Sequence, residues 1–323
     1  MSGAMPVFDT FESDVDDIAL RSESDDAGVR RVAMMQLAEV IDVGAVPLLI
    51  KGLQDSDASV REAAAKALDE HEGDGVAAAL VKALEDPVAA VRAGAAETLA
   101  EKKDPTSAAL LIASTEHTAP FVRAAAFRAL RELIAPEAMK AALRAFNDPA
   151  PEVRREAVTV LGYLKAEQAI PALMVAANDD DASVRRAVMS ALVFSRPGGP
   201  GTSALLAGLT DSHWQVREEA AASIGKIKLP DAAGALMSAM TDETWQVRAK
   251  AANALGRIRD TRAVPVLGQA LSHEVSNLRK EAAAALGEIA DPPAIIFLER
   301  ATGDPDPDVR KLVRWAIERC QAA

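Results

Sequence analysis

A single cysteine, Cys320, stands in 323 residues. That excludes an intramolecular disulfide and any metal site built on several thiolates. Histidine is almost as scarce: four residues are scattered along the chain, too few to converge on zinc or iron. Aromatic residues make up only 3% although 50% of the residues are hydrophobic. Ala takes many of the apolar positions, and it is both the best helix former and small enough to let helices approach closely. No sustained period-two alternation of β-branched and aromatic residues marks a strand. No apolar run is long enough to span a bilayer. Met1-Ser2-Gly3-Ala4-Met5-Pro6 lacks the basic start and apolar run of a secretory signal. A cytoplasmic protein with no membrane contact and no cofactor is the expectation. Positive charge is also lacking. The net charge of −12 argues against general nucleic-acid affinity. Residues 1–122 hold 10 Lys/Arg against 23 Asp/Glu, whereas residues 123–278 hold 19 against 17. The acidic first third is a surface for a basic partner or simply a solvated one.

What the chain does have is a repeat. Val-Arg recurs at Val29-Arg30, Val60-Arg61, Val91-Arg92, Val122-Arg123, Val153-Arg154, Val184-Arg185, Val216-Arg217, Val247-Arg248 and Val309-Arg310, with Leu278-Arg279 as the variant. The arginines are 31 residues apart at every step except one of 32, between Arg185 and Arg217. A fixed period of this length is the signature of a solenoid, in which helix pairs stack on their neighbours. The expected organisation is an acidic arm over residues 1–14 and a stack of about ten repeats over residues 15–323. The first repeat is degenerate, as terminal repeats are.

Within a repeat, segments such as Ala45–Leu53 have helical apolar spacing and form the first helix. Asp55-Ser56-Asp57 then breaks the pattern. Asp26, Asp57, Asp181, Thr244 and Asp306 stand four residues before their arginines, where an N-cap belongs. Pro120, Pro151 and Pro307 follow that position, as suits a first helical residue. Counting from the arginine, positions −1, +3 and +7 are apolar in every repeat and share one helix face. Positions +1 and +5 are mixed and face water or a partner. The one irregular step, residues 195–202, is rich in Gly and Pro. It lacks the Lys-Ser/Thr ending of a phosphate loop, and reads as an inter-repeat loop, or alternatively as a flexure between six N-terminal and four C-terminal repeats.

These elements resemble the HEAT repeat, and more closely its short phycobilisome-lyase-like subclass. Pro47, Pro171 and Pro265 match the family's first-helix proline. Asp55, Asp86, Asp148, Asp179, Asp211, Asp242 and Asp304 match its turn aspartate, and Leu161-Gly162, Leu255-Gly256 and Leu286-Gly287 its Leu-Gly ending. The resemblance implies an all-α, right-handed α-solenoid with the second helices on a concave side. It further implies a hydrogen-bond ladder between adjacent repeats, made by those aspartates with Arg61, Arg92, Arg154, Arg185, Arg217, Arg248 and Arg310. Ser24, His117 and His273 stand where Asp would be, so the ladder should be weaker there. The alternative, a strip of anion-binding arginines, is less favoured because partners for most of them are written into the same repeat.

Catalytic constellations are thin. The di-iron enzyme of this repeat class, deoxyhypusine hydroxylase, has His-Glu pairs after the repeat arginine, whereas the matching positions here read Glu62-Ala63, Arg155-Glu156, Glu218-Glu219 and Lys280-Glu281. Neither a catalytic residue nor a metal site is expected. A bilin lyase-like chromophore-attachment subunit is implied only by the subclass resemblance. Nucleic-acid binding has only a local arginine density in its favour. Trp214 and Trp245 occupy the same place in adjacent repeats, at the start of the second helix, so their indoles should be near neighbours; they serve as turn packing or as a binding hot spot. Trp315 either seals the last repeat or makes a contact between protomers. The favoured reading is a non-enzymatic scaffold or assembly chaperone that holds another protein. Trp214, Trp245, Arg128, Arg155, Arg186, Glu218, Lys250 and Asn253 are the expected contact residues, with the acidic N-terminal repeats as a second contact.

Overall fold

In the computed structural model, the described residues are 15–323 apart from Ile41, Val43, Asp74 and Pro197. The acidic arm expected over residues 1–14 lies outside them. The described residues form twenty α-helices and no strand, arranged as ten pairs in an all-α solenoid. The chain divides into two compact units, Met1–Ala138 and Met139–Ala323. The first contains repeats 1–4, with second helices Ala27–Leu37, Ala58–Ala67, Ala89–Glu101 and Pro120–Leu133. The second contains repeats 5–10, with second helices Pro151–Tyr163, Ala182–Ala191, Trp214–Ile227, Trp245–Ile258, Ser276–Ile289 and Pro307–Gln321. The irregular step at 195–202 lies inside the second unit; Pro200 already opens the helix Pro200–Gly208, so the expected loop is shorter, and its Pro197 is outside the described residues.

Several second helices start where a side chain holds free backbone N–H groups. Asp26, Asp57, Asp181 and Asp306 all accept N–H bonds from the first turn, the capping that sets a helix start. His213 does the same through Nδ1. Thr244 stands at the N-cap, but its side chain makes no capping bond. Pro120, Pro151 and Pro307 occupy the opening helical position, where no N–H is needed.

The apolar stripe is the core of both units. Val60 and Leu68 in the first, and Val153, Leu161, Val247 and Leu255 in the second, are fully buried. Burying each such side chain is worth about 1.5–3 kcal/mol. Within the second unit, successive second helices also touch backbone to backbone. A Cβ added at Gly225 would lie 3.0 Å from Ala254 Cα, and one at Gly256 only 2.7 Å from Ala285 Cα. The Leu-Gly signature therefore marks a close approach between helices, and a methyl group there would cost about 1–3 kcal/mol through overpacking.

The arginines join one repeat to the next. Arg30 grips Asp55 with Nε and Nη2 at 2.7 and 2.8 Å, and Arg61 grips Asp86 at 2.6 and 3.1 Å. In the second unit the pairs are Arg154 with Asp179, Arg185 with Asp211, Arg217 with Asp242 and Arg279 with Asp304. Each carboxylate comes from the repeat that follows. The arginine's own repeat supplies carbonyl oxygens instead: Arg61 Nη1 donates to those of Asp55 and Ser56. This corrects the expectation that most arginines find their partners within one repeat. The carboxylate has a second task, since Asp211 also accepts the N–H of His213 at 2.8 Å. Asp148 likewise accepts from the Ala150 N–H.

Three of the ladder arginines depart from the pattern. Arg310, in the last repeat, bonds only to the carbonyls of Asp304 and Pro305. Among the described residues Arg92 meets no carboxylate, and Arg248 faces His273 rather than an aspartate. His273 Nε2 lies 3.0 Å from Arg248 Nη2, while its Nδ1 accepts the Val275 N–H at 3.0 Å. Both neighbours are donors, and a neutral imidazole offers one acceptor. Arg248 Nε is buried with no partner, which carries a cost of about 1–3 kcal/mol. Replacing His273→Asp should restore the fork and raise the stability of the second unit by about 1–3 kcal/mol, read as a higher urea midpoint with the slope unchanged.

Acid should weaken the ladder. The hydrogen bond from Arg185 holds the Asp211 carboxyl below its ordinary 3.8, against burial that pushes it up. Arg30, Arg61 and Arg279 act in the same way on Asp55, Asp86 and Asp304. A carboxyl whose folded pKa is depressed contributes stability that is complete above its unfolded value and lost as pH falls through the folded one. Stability should therefore be flat above about pH 5 and fall progressively below about pH 4. Asp211→Asn should lower stability at neutral pH and reduce that acid slope, as urea titrations at each pH would show.

Candidate functional site

Positions +1, +5 and +9 of the second helices lie off the core stripe, so their side chains form the surface of each unit. In the first unit position +9 reads Glu39, Glu70, Glu101 and Glu132; in the second it begins Tyr163, Phe194, Lys226 and Arg257. Tyr163 is 52% exposed. A groove of about 500 Å³ runs past Thr159, Tyr163, Lys165, Ser190, Phe194 and Lys226. Two ammonium groups and two aromatic rings line it, without a carboxylate among its lining residues. Such walls suit an aromatic or apolar anchor with an acidic neighbour; aromatic rings are enriched at protein interfaces, and the ammonium groups add charge complementarity. Lys165 reaches the groove from a left-handed backbone, φ 48, at the end of its helix.

The contact residues expected from the sequence are distributed over both units. Arg128 lies on Pro120–Leu133 of the first unit and is half-buried. In the second unit Arg186 is exposed and lies 3.8 Å from Glu219, which Lys226 also approaches at 3.8 Å. Arg155 bonds to its neighbour Glu156, and Asn253 Nδ2 donates to Glu281. Glu218 is half-buried and Lys250 exposed. The geometry brings Arg186 to the edge of the groove through Glu219 and Lys226.

Trp214 and Trp245 are the first residues of their helices and both are half-buried. The Trp214 ring stacks on His213, with centroids 6.4 Å apart and an interplanar angle of 17°. Trp315 is 38% exposed, and its ring covers Gly287 of the preceding repeat, where an added Cβ would lie 2.3 Å from it. Sequence reasoning missed Tyr163, Phe194 and Lys226. Their signal was the +9 column, which emerges only when every repeat is aligned on its arginine.

The HEAT-repeat profile matches residues 18–90, 77–149, 139–206, 202–271 and 235–318. The chain belongs to the HEAT-repeat family. Among curated proteins no sequence matches it. Solved HEAT-type structures resemble it in fold. An engineered protein is 24% identical, with a TM-score of 0.50 over 95% of this chain and 98% of its own. Kap95p, in a structure reporting its binding to RanGDP, is 16% identical, with a TM-score of 0.70 over 97% of this chain. This chain spans 52% of the length of that one. YibA of E. coli is 19% identical, with a TM-score of 0.57 over 93% of this chain and 100% of its own. These likenesses concern the fold alone. Among the described residues, no helix is long and apolar enough to cross a membrane.

Trp214 is half-buried and its ring lies against that of His213. Trp214→Ala should lower the stability of the second unit by about 1–2 kcal/mol, measurable by urea denaturation, with helical content at neutral pH preserved. A substitution with no effect on stability would show that the ring contributes nothing to folding.

Proposed function

We propose that this HEAT-repeat protein is a non-enzymatic scaffold or assembly chaperone of the cytoplasm that holds a partner protein along its second helices. The observation that carries this reading is the groove lined by Tyr163, Phe194, Lys165 and Lys226. It is a set of aromatic and cationic side chains at or just beyond the C-terminal ends of successive second helices, suited to hot-spot contacts. The solenoid supports it in general, because stacked repeats offer extended binding surfaces. The Kap95p structure, which reports the binding of another protein, RanGDP, is an example of that use in a similar fold. Arg186, Lys250 and Asn253 extend the surface along neighbouring helices. The acidic column Glu39, Glu70 and Glu101 of the first unit is exposed, and offers a second contact for a basic segment. The exposed part of Trp315 is where a second copy would meet the last repeat. The finer subclass resemblance, with its bilin lyase role, and the nucleic-acid reading gain no specific observation from this surface.

The test compares three full-length proteins immobilised against extract of the native cell: wild type, Tyr163→Ala/Phe194→Ala, and Trp214→Ala/Trp245→Ala. Capture of a specific protein should fall at least about tenfold with the first double variant, with helicity unchanged by circular dichroism. Unaltered capture by the Tyr163→Ala/Phe194→Ala variant would refute the reading.

A further inference from the structure

The interruption of the ladder at Arg92 differs from the one at Arg248. Arg92 Nη1 donates to the carbonyls of Asp86 and Pro87 at 2.7 and 3.0 Å. Arg61 is held by its own turn in the same way, at 2.8 and 3.2 Å. The guanidinium is therefore pinned in the ladder orientation, with its Nε–Nη2 edge turned toward the following repeat. In that repeat His117 replaces the aspartate. Its Nδ1 accepts the Ala119 N–H at 3.1 Å, reproducing the turn bond of the missing carboxylate, and its Nε2 turns to Glu85 at 3.2 Å. Among the described residues, no acceptor meets Nε or Nη2 of Arg92. Phe121 stands beside it, with its ring centroid 5.7 Å from the guanidinium carbon and its side chain 41% exposed. Arg248 Nε, by contrast, is buried and beyond the reach of a ligand.

The geometry points to an open rung: the Nε–Nη2 edge of Arg92, walled by Phe121, binds the side-chain carboxylate of an aspartate or glutamate from a partner protein. The six closed forks described above show what such an edge takes, a bidentate carboxylate with bonds of 2.6–3.1 Å. Bidentate, charge-assisted pairs of this kind are the strong ones. The two acids of its own turn do not compete for it, because Asp86 is held by Arg61 and Glu85 faces His117. Phe121 excludes water from one side of the pair and adds a cation–π contact. The site lies within the first unit and does not depend on the groove proposed for the second.

The test uses the full chain labelled with ¹⁵N-arginine, titrated with N-acetyl-aspartate N-methylamide and, as control, its asparagine counterpart. The Arg92 Nε–H signal should move saturably with the aspartate probe alone, while those of Arg30 and Arg61, already gripped, stay in place. His117→Asp supplies an internal carboxylate at the position of Asp55 and Asp86. It should retain the fold and weaken probe binding at Arg92 at least about tenfold. Phe121→Ala should weaken it a few-fold. An Arg92 signal that does not respond, that moves no more than the exposed Arg31, or that responds equally in His117→Asp would overturn the proposal.

Discussion

Six arginine forks each close on a carboxylate that belongs to the following repeat, and that contact sets how neighbouring helix pairs meet. The Nη1 end is fixed to the turn of its own repeat, so the fork points in one direction. The carboxylate simultaneously receives an N–H two residues on, so it orders the turn that leads into the next second helix. A contact of this kind specifies register more than it adds net stability, because both charges are largely removed from water. The energy of the stack comes from the Val, Ala and Leu stripe that no single repeat can bury alone.

Much of the fold is legible in the sequence because the repeat writes each role ten times. The −1, +3 and +7 stripe, the capping aspartates and the prolines at helix starts follow from local chemistry. Even the faulty rung at His273 is visible, since a histidine stands in an aspartate column. What local chemistry does not contain is direction. Asp211 lies six residues before Arg217 and twenty-six after Arg185, and spacing alone does not say which of the two it serves. The division between Ala138 and Met139 falls on no irregular step in the period, whereas the irregular step at 195–202 falls inside a unit.

The candidate site was less legible, and for a physical reason. The tryptophans drew attention as rare, large residues placed alike in adjacent repeats, and the Trp214 ring stacks on that of His213, a contact set by the chain itself. The groove rests instead on the commonplace residues Tyr163, Phe194, Lys165 and Lys226. Their meaning depends on stacking, which brings +9 positions 31 residues apart to neighbouring places on one surface. Function on a solenoid resides in such columns, and the fold constrains it only by deciding which columns face outward. Lys226 illustrates the point, since its pairing with Glu219 also links the groove to Arg186.

The central claim is that the second helices of the second unit, rather than its first helices, meet the partner. Photo-crosslinking from two single positions tests it most directly. One is Tyr163, on a second helix, and the other is Val175, 76% exposed on the first helix Ile170–Ala176. A photoreactive side chain at Tyr163 should give one specific adduct in the native cell, and the same group at Val175 should give none. An adduct from Val175 with Tyr163 silent would contradict the account.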